Sequence, residues 1–170
     1  MYIHDDQRHY GSAIIQVAED PHFTAINGCH LNGQASRCGF RVNKNIGLYV
    51  RYSSKPKGKS APVYRFTFSQ ENLEELRQMR KRFPSLFLGL VCVRARHICC
   101  LQYSDLLRLI QDRKEYKGEE EPQYVVEVMI RRRQQFRVGI SSPNEKGKWF
   151  GPAVIPRNDF PSRLFSGSSS

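Results

Sequence analysis

The run Leu86-Phe-Leu-Gly-Leu-Val-Cys-Val93 is apolar at odd and even positions alike, and it restricts the fold more than any other segment. A strand with one wet face alternates apolar and polar residues. One that is apolar throughout must be covered on both faces. The run is far shorter than the roughly 20 residues of a membrane span. It therefore reads as a central strand in a covered sheet, and its neighbours should supply the cover.

Those neighbours fit. Ser69 is a suitable N-cap for a helix over about 70–83, with Glu71, Glu74 and Glu75 in its first half and Arg77, Arg80, Lys81 and Arg82 in its second. That distribution complements the helix dipole. Leu73, Leu76, Met79 or Arg80, and Phe83 give it a stripe at helical spacing, and Pro84 stops it. After the apolar strand, His97–Gln102 reads as a further strand, and Ser104 as the cap of a short helix over about 104–112.

Gly47–Ser53 and Val63–Phe68 each alternate, and are expected to pair as an antiparallel hairpin joined by the polar, twice-prolyl connection 54–62. Tyr124–Ile130 is expected to pair with Gln135–Ile140 across Arg131-Arg132-Arg133. Ala25–Gly39, with its Asn27-Gly28 and Asn32-Gly33 dipeptides, reads as a loop or loose hairpin. Residues 1–10 read as a mobile lead-in, Gln111–Pro122 as a surface loop, and 166–170 as a disordered tail. The expected fold is α+β: one domain over 1–165, with a mixed or mainly antiparallel sheet and two helices packed on it.

Charge narrows the function. Between Asp20 and Glu71 there is no acidic residue, while Arg37, Arg41, Lys44, Arg51, Lys55, Lys57, Lys59 and Arg65 all lie there. The whole chain has 27 Lys and Arg against 16 Asp and Glu, a net charge of +11. Such a segment attracts phosphates and cannot supply the carboxylates that hold Mg²⁺ or act as general acid and base. Nucleic acid, DNA or RNA, is the expected partner, and an acidic protein is the alternative. The start of the chain lacks the basic flank and apolar core of a secretory signal, and five cysteines are an odd number, so a cytoplasmic protein is expected.

Two constellations carry the binding expectation. Lys55, Lys57 and Lys59 sit on the connection after the first strand, and Arg51 and Arg65 would share a face with Tyr49 if the hairpin forms in the expected register. Arg131, Arg132 and Arg133 would form the tip of the later hairpin, with Arg137 on its second strand. Cys29, His30, Cys38 and His22 lack the close spacing of a zinc site, and no cofactor or metal is expected. His97 and Cys99 fall on one strand face as a conceivable base and nucleophile, but the strand is apolar enough to bury the thiol as packing.

The order of strands from Phe40 to Phe68, helix 70–83, strand 86–93, then strand and helix to Ile110 resembles the restriction-endonuclease-like nuclease core. That family's active site needs an acidic residue entering the second strand and a Glu/Asp-x-Lys on the third. Gly47-Leu-Tyr-Val-Arg-Tyr and Val63-Tyr-Arg-Phe-Thr-Phe occupy those places without a carboxylate. The runs Ile46–Ser54, Tyr64–Phe68 and Phe160–Phe165 also resemble small uncharacterised bacterial proteins. The resemblance implies a scaffold that keeps shape and positive charge without metal-dependent hydrolysis. The expected function is non-catalytic nucleic-acid binding, as an accessory in DNA processing or defence. A divergent nuclease would have to draw carboxylates from Asp5, Asp6, Glu19, Asp20, Asp105 or Glu127.

Overall fold

The computed structural model describes residues 1–58, 61–141 and 149–167. The chain runs α1 (Asp5–Glu19), β1 (Ile26–Leu31), β2 (Gln34–Val42), β3 (Ile46–Ser53), β4 (Val63–Ser69), α2 (Gln70–Arg82), β5 (Ser85–Cys92), β6 (His97–Gln102), α3 (Tyr103–Lys117), β7 (Gln123–Met129), β8 (Phe136–Ser141), β9 (Trp149–Ile155) and α4 (Ser162–Phe165). The α+β class expected from the sequence is present. Among the described residues the strands form two sheets, β1-β2-β3-β5-β6 and β4-β7-β8-β9, where one had been expected.

The expected hairpin of the third and fourth strands does not form. β3 is antiparallel to β2 (Gly39 opposite Tyr49) and parallel to β5 (Tyr49 opposite Leu88), whereas β4 pairs with β7 (Tyr64 opposite Val128). The reason lies in burial. β3 is buried from Ile46 to Val50 and takes a neighbour on each edge, while β4 buries only alternate residues, Tyr64, Phe66 and Phe68. A one-faced strand belongs in a sheet with one open face. The connection carries the chain from one sheet to the other, and among the described residues an isolated bridge between Lys57 and Val63 is what remains of the hairpin.

β5 lies between β3 and β6, buried from Leu86 to Cys92, as the doubly apolar run requires. One face of this sheet meets α1, where Tyr52 contacts the rings of His9 and Tyr10 at 4.5 and 5.7 Å. The other face meets α2: the Tyr49 hydroxyl donates to Glu75 Oε1 and accepts from Asn72 Nδ2, both at 3.2 Å. A Cβ at Gly47 would lie 2.8 Å from the Phe83 ring, so only glycine lets the end of α2 settle on β3. Tyr64, Phe66, Phe68, Tyr124, Val126, Val128, Phe136 and Val138 line the inner face of the second sheet, and one contiguous cluster of buried side chains joins both sheets. Burying each large apolar side chain contributes about 1.5–3 kcal/mol.

Three further sequence expectations need correction. The first ten residues are not a loose lead-in, because α1 starts at Asp5 and places Tyr10, Ala13 and Val17 on the core. Their helical spacing is masked by a polar first turn. The charged stretch after residue 111 is mostly helix: α3 runs to Lys117, because Arg113 continues its buried face, and Gly118 ends it at φ 74°. Its N-cap is Gln102 instead of Ser104. Of the two forms read for Ala25–Gly39, loop or loose hairpin, the hairpin is present: it is mainly β1–β2, turned by Asn32 and Gly33 at φ 54° and 73°, the geometry that suits a two-residue connection. Helix α2 is as read, with Ser69 Oγ accepting the Asn72 amide at 3.2 Å. Residues 168–170 of the expected tail lie outside the described residues, and Ser166 and Gly167 form a turn after α4.

Candidate nucleic-acid interface

Strand direction gathers the basic residues. β3 and β5 are parallel, so Ser53 and Cys92 end at the same side, followed by the connection with Lys55 and Lys57 and by the β5–β6 turn with Arg94 and Arg96. In the second sheet Val63 at the start of β4 lies opposite Met129 at the end of β7, next to the Arg131–Arg133 turn. Four contacts hold these ends together. The Val93 amide donates to the Ser53 carbonyl at 3.0 Å and the Ile130 amide to the Pro62 carbonyl at 3.0 Å. The Tyr64 hydroxyl is hydrogen-bonded to the Ala95 backbone.

Arg157, just after β9, makes the fourth contact. Its guanidinium donates from Nη1 to the carbonyls of Arg131 at 3.0 Å and Gln134 at 3.4 Å, and Nη2 lies 3.1 Å from His97 Nε2. Its own amide donates to Gln135 Oε1 at 2.6 Å. A guanidinium has no acceptor, so Nε2 of His97 accepts and the proton of the neutral ring resides on Nδ1. Burial, then the Arg157 charge, hold the His97 pKa below its ordinary 6.5. Arg157 thus ties the arginine turn of one sheet to the first residue of β6 in the other.

The outer face of the second sheet adds to this end. Lys57 pairs with Val63, Val63 with Met129, Met129 with Arg137, and Arg137 with Val154, so these five side chains form one row on the face away from the core. Arg65 stands in the next row, directly opposite Glu127. Lys55, Lys57, Arg94, Arg96, Arg131, Arg132, Arg133 and Arg137 are exposed and in no ion pair among the described residues.

The structure therefore brings together most of the residues singled out from the sequence, though not all. Arg51 is elsewhere: it donates from Nη2 to the Thr67 carbonyl at 3.0 Å and lies over the Phe68 ring at 5.8 Å, joining the two sheets. Tyr49 is fully buried, so no shared basic and aromatic face forms with Arg51 and Arg65. Lys59 lies outside the described residues. Arg94, Arg96 and Arg157 were missed. Arg94-Ala-Arg96 between two apolar strands was a legible sign of a basic turn, whereas nothing local marks Arg157.

Two turns at this end share an unusual backbone. Arg96 and Arg133 have φ of 57° and 59°, in the left-handed region, where a side chain other than Gly or Asn costs about 1 kcal/mol or more. Elsewhere the chain places Asn32 and Asn43 in that conformation. At both turns Asn in place of Arg would carry less backbone strain.

Among the described residues no three His, Cys, Asp or Glu side chains gather as metal ligands. Asp20 is bound to His22 at 3.0 Å, Asp105 lies 3.5 Å from Arg108, and Glu127 stands within β7. Cys99 is fully buried, and burial pushes its thiol pKa well up, away from the thiolate a nucleophile needs. The basic end of α2 is used locally: Arg80 donates to the Pro84 carbonyl at 2.7 Å and Arg82 to the His30 carbonyl at 2.6 Å. No helix among the described residues is long and apolar enough to cross a membrane. No protein-family profile, curated protein or solved structure matches the chain.

Proposed function

We propose that this protein binds nucleic acid through the end formed by the Lys55–Lys57 segment, the Arg94–Arg96 turn, the Arg131–Arg133 turn and Arg137, and that it acts as a binder without hydrolysing the strand. One observation carries the reading: four separate segments converge their cations on one end, and none is neutralised there by a carboxylate among the described residues. Phosphate oxygens are the chemistry that complements such an end, with guanidinium forks contacting them in pairs and lysines as point charges. The likeness to a restriction-endonuclease-like core belongs to the same proposal. It is supported by antiparallel β2 and β3, the crossover α2 and β5 parallel to β3, followed by β6 and α3, while β4, read as a further strand of that core, pairs with β7 in the second sheet; it implies a scaffold put to use for shape and charge, as in an accessory of DNA processing or defence.

The test is a titration against random-sequence duplex DNA, single-stranded DNA and RNA at low and physiological salt, with Mg²⁺ present and products separated on a denaturing gel. Binding that weakens steeply with salt and leaves the strands intact is the expected result. Cleavage would overturn the non-catalytic part, and absence of binding at low salt would overturn the reading and leave an acidic protein partner as the one to pursue.

A further inference from the structure

Beside the basic end, α1 and the β5–β6 hairpin enclose a groove of about 250 Å³. Arg8, His9 and Gln16 form one wall, Arg96 and His97 the other, and Val91, Val93 and Ile98 an apolar floor. No carboxylate among the described residues lines it, and the Asp5 that lies 3.5 Å from Arg8 Nη1 is on the exposed first turn of the helix. Two rings are held in place at its edge. His9 lies against Tyr52 with ring centres 4.5 Å apart, and His97 is fixed by Arg157 at 3.1 Å and by the edge of Phe136 at 6.0 Å.

We infer that this groove takes one unpaired nucleotide of a bound strand, its base on the apolar floor against the held imidazoles and its phosphate between Arg8 and Arg96. Cations alone would serve any polyanion. Cations around a concave apolar floor with flat rings at its edge suit an anion joined to a flat apolar body, as a nucleotide is. The bases of an intact duplex are stacked and paired, and cannot enter. The inference rests on the binding reading above and deepens it: single strands, or strands with an unpaired end, should be preferred to closed duplex.

The test has two arms that fail separately. In the first, the imidazole NMR signals of His9 and His97 are followed during titration of the whole chain with adenosine monophosphate, and with inorganic phosphate and adenosine as controls. Saturable shifts with the nucleotide at lower concentration than with either control are expected. No shift, or a phosphate response equal to the nucleotide's, overturns the inference even if polymers bind. In the second, anisotropy of a labelled single strand and of a closed hairpin duplex is compared for the wild type, the R8S/R96N double variant and the variant with Ala at 131, 132 and 133. Asn is chosen at 96 because it tolerates the positive φ. Arg96 also belongs to the binding end, so the groove variant should lose a few-fold on the duplex and about tenfold more than that on the single strand, whereas the turn variant should lose equally on both. Equal loss on both by the groove variant overturns the inference. Failure of the wild type to bind either polymer overturns the binding function itself, and the nucleotide titration then decides the groove alone.

Discussion

The region around α2 and α3 and the end built from the Lys55–Lys57 segment and the two arginine turns treat their cations in opposite ways. Around α2 and α3, several cations are matched by carboxylates: Arg77 donates to Glu74 at 2.8 Å, Lys114 to Glu120 at 2.8 Å, and Arg113 grips Glu121 through Nε at 2.5 Å and Nη2 at 2.9 Å. At the arginine turns Arg94, Arg96 and Arg131–Arg133 are exposed without such partners among the described residues, and Arg157 spends its donors on carbonyls and a histidine. Net charge is thus a property of the chain, whereas the field available to a partner is what remains after internal pairing.

The comparison breaks most visibly at Arg113, only 5% exposed. Arg113→Ala should lower stability by about 3–5 kcal/mol by leaving Glu121 without its cation in a partly buried site, with nucleic-acid affinity unchanged once folded. Chemical denaturation and a binding titration on the same sample check both halves. Loss of binding in a folded Arg113→Ala protein would mean that the two regions are not separate in role.

Next in size is the joint replacement of Arg131, Arg132 and Arg133 by Ala, which should weaken binding roughly tenfold to a hundredfold at low salt. The slope of log affinity against log salt should become shallower by about 0.9 for each duplex phosphate that is no longer neutralised. Thermal stability should hardly move, since these side chains are exposed. Replacing Arg77 and Lys114 removes as much charge as two turn arginines and should leave affinity nearly intact, because their charge is already matched.

Acid separates the regions by pH. His97 has a folded pKa below 6.5, so the unfolded chain takes up a proton first, and stability should fall as pH drops through about 6.5 until the folded value is passed. Glu121 has a folded pKa below 4.5, chiefly from its hydrogen bond with Arg113, so its contribution is present above 4.5 and lost as pH falls through the folded value. Melting temperature against pH should therefore show two limbs, and His97→Gln should flatten only the upper one. The smallest effect is the most discriminating. Arg133→Asn should raise stability by up to about 1 kcal/mol by relieving the left-handed turn, and should still weaken binding a few-fold. A variant both more stable and equally tight would show that the arginine serves neither region.

Several elements were legible because their physics is local. Ser69, the stripe from Leu73 to Met79 and Pro84 bound α2, and the doubly apolar run fixed β5 as a covered central strand. The Arg131–Arg133 hairpin was legible too, since alternation on both sides and a charged break leave one short way to connect them. The partner of β3 was not. Alternation states which residues share a face but carries no address for the strand alongside, and both β4 and β5 could satisfy the same edge.

Sequence by itself determined the α+β class, the identity of the core strand, and an excess of positive charge that carboxylates within the chain could not balance. Tertiary structure decided the rest. The crossover through α2 made β3 and β5 parallel, and sending β4 to a second sheet brought its first residue beside the Arg131–Arg133 turn. That arrangement put Arg94, Arg96, Arg131 and Arg137 at one end, removed Arg51 to the join between sheets, and recruited Arg157 from near the end of the described chain. Hydrogen bonds between distant strands fix such positions, and their partners are chosen by burial and edge pairing across the whole fold, which no local stretch of residues encodes.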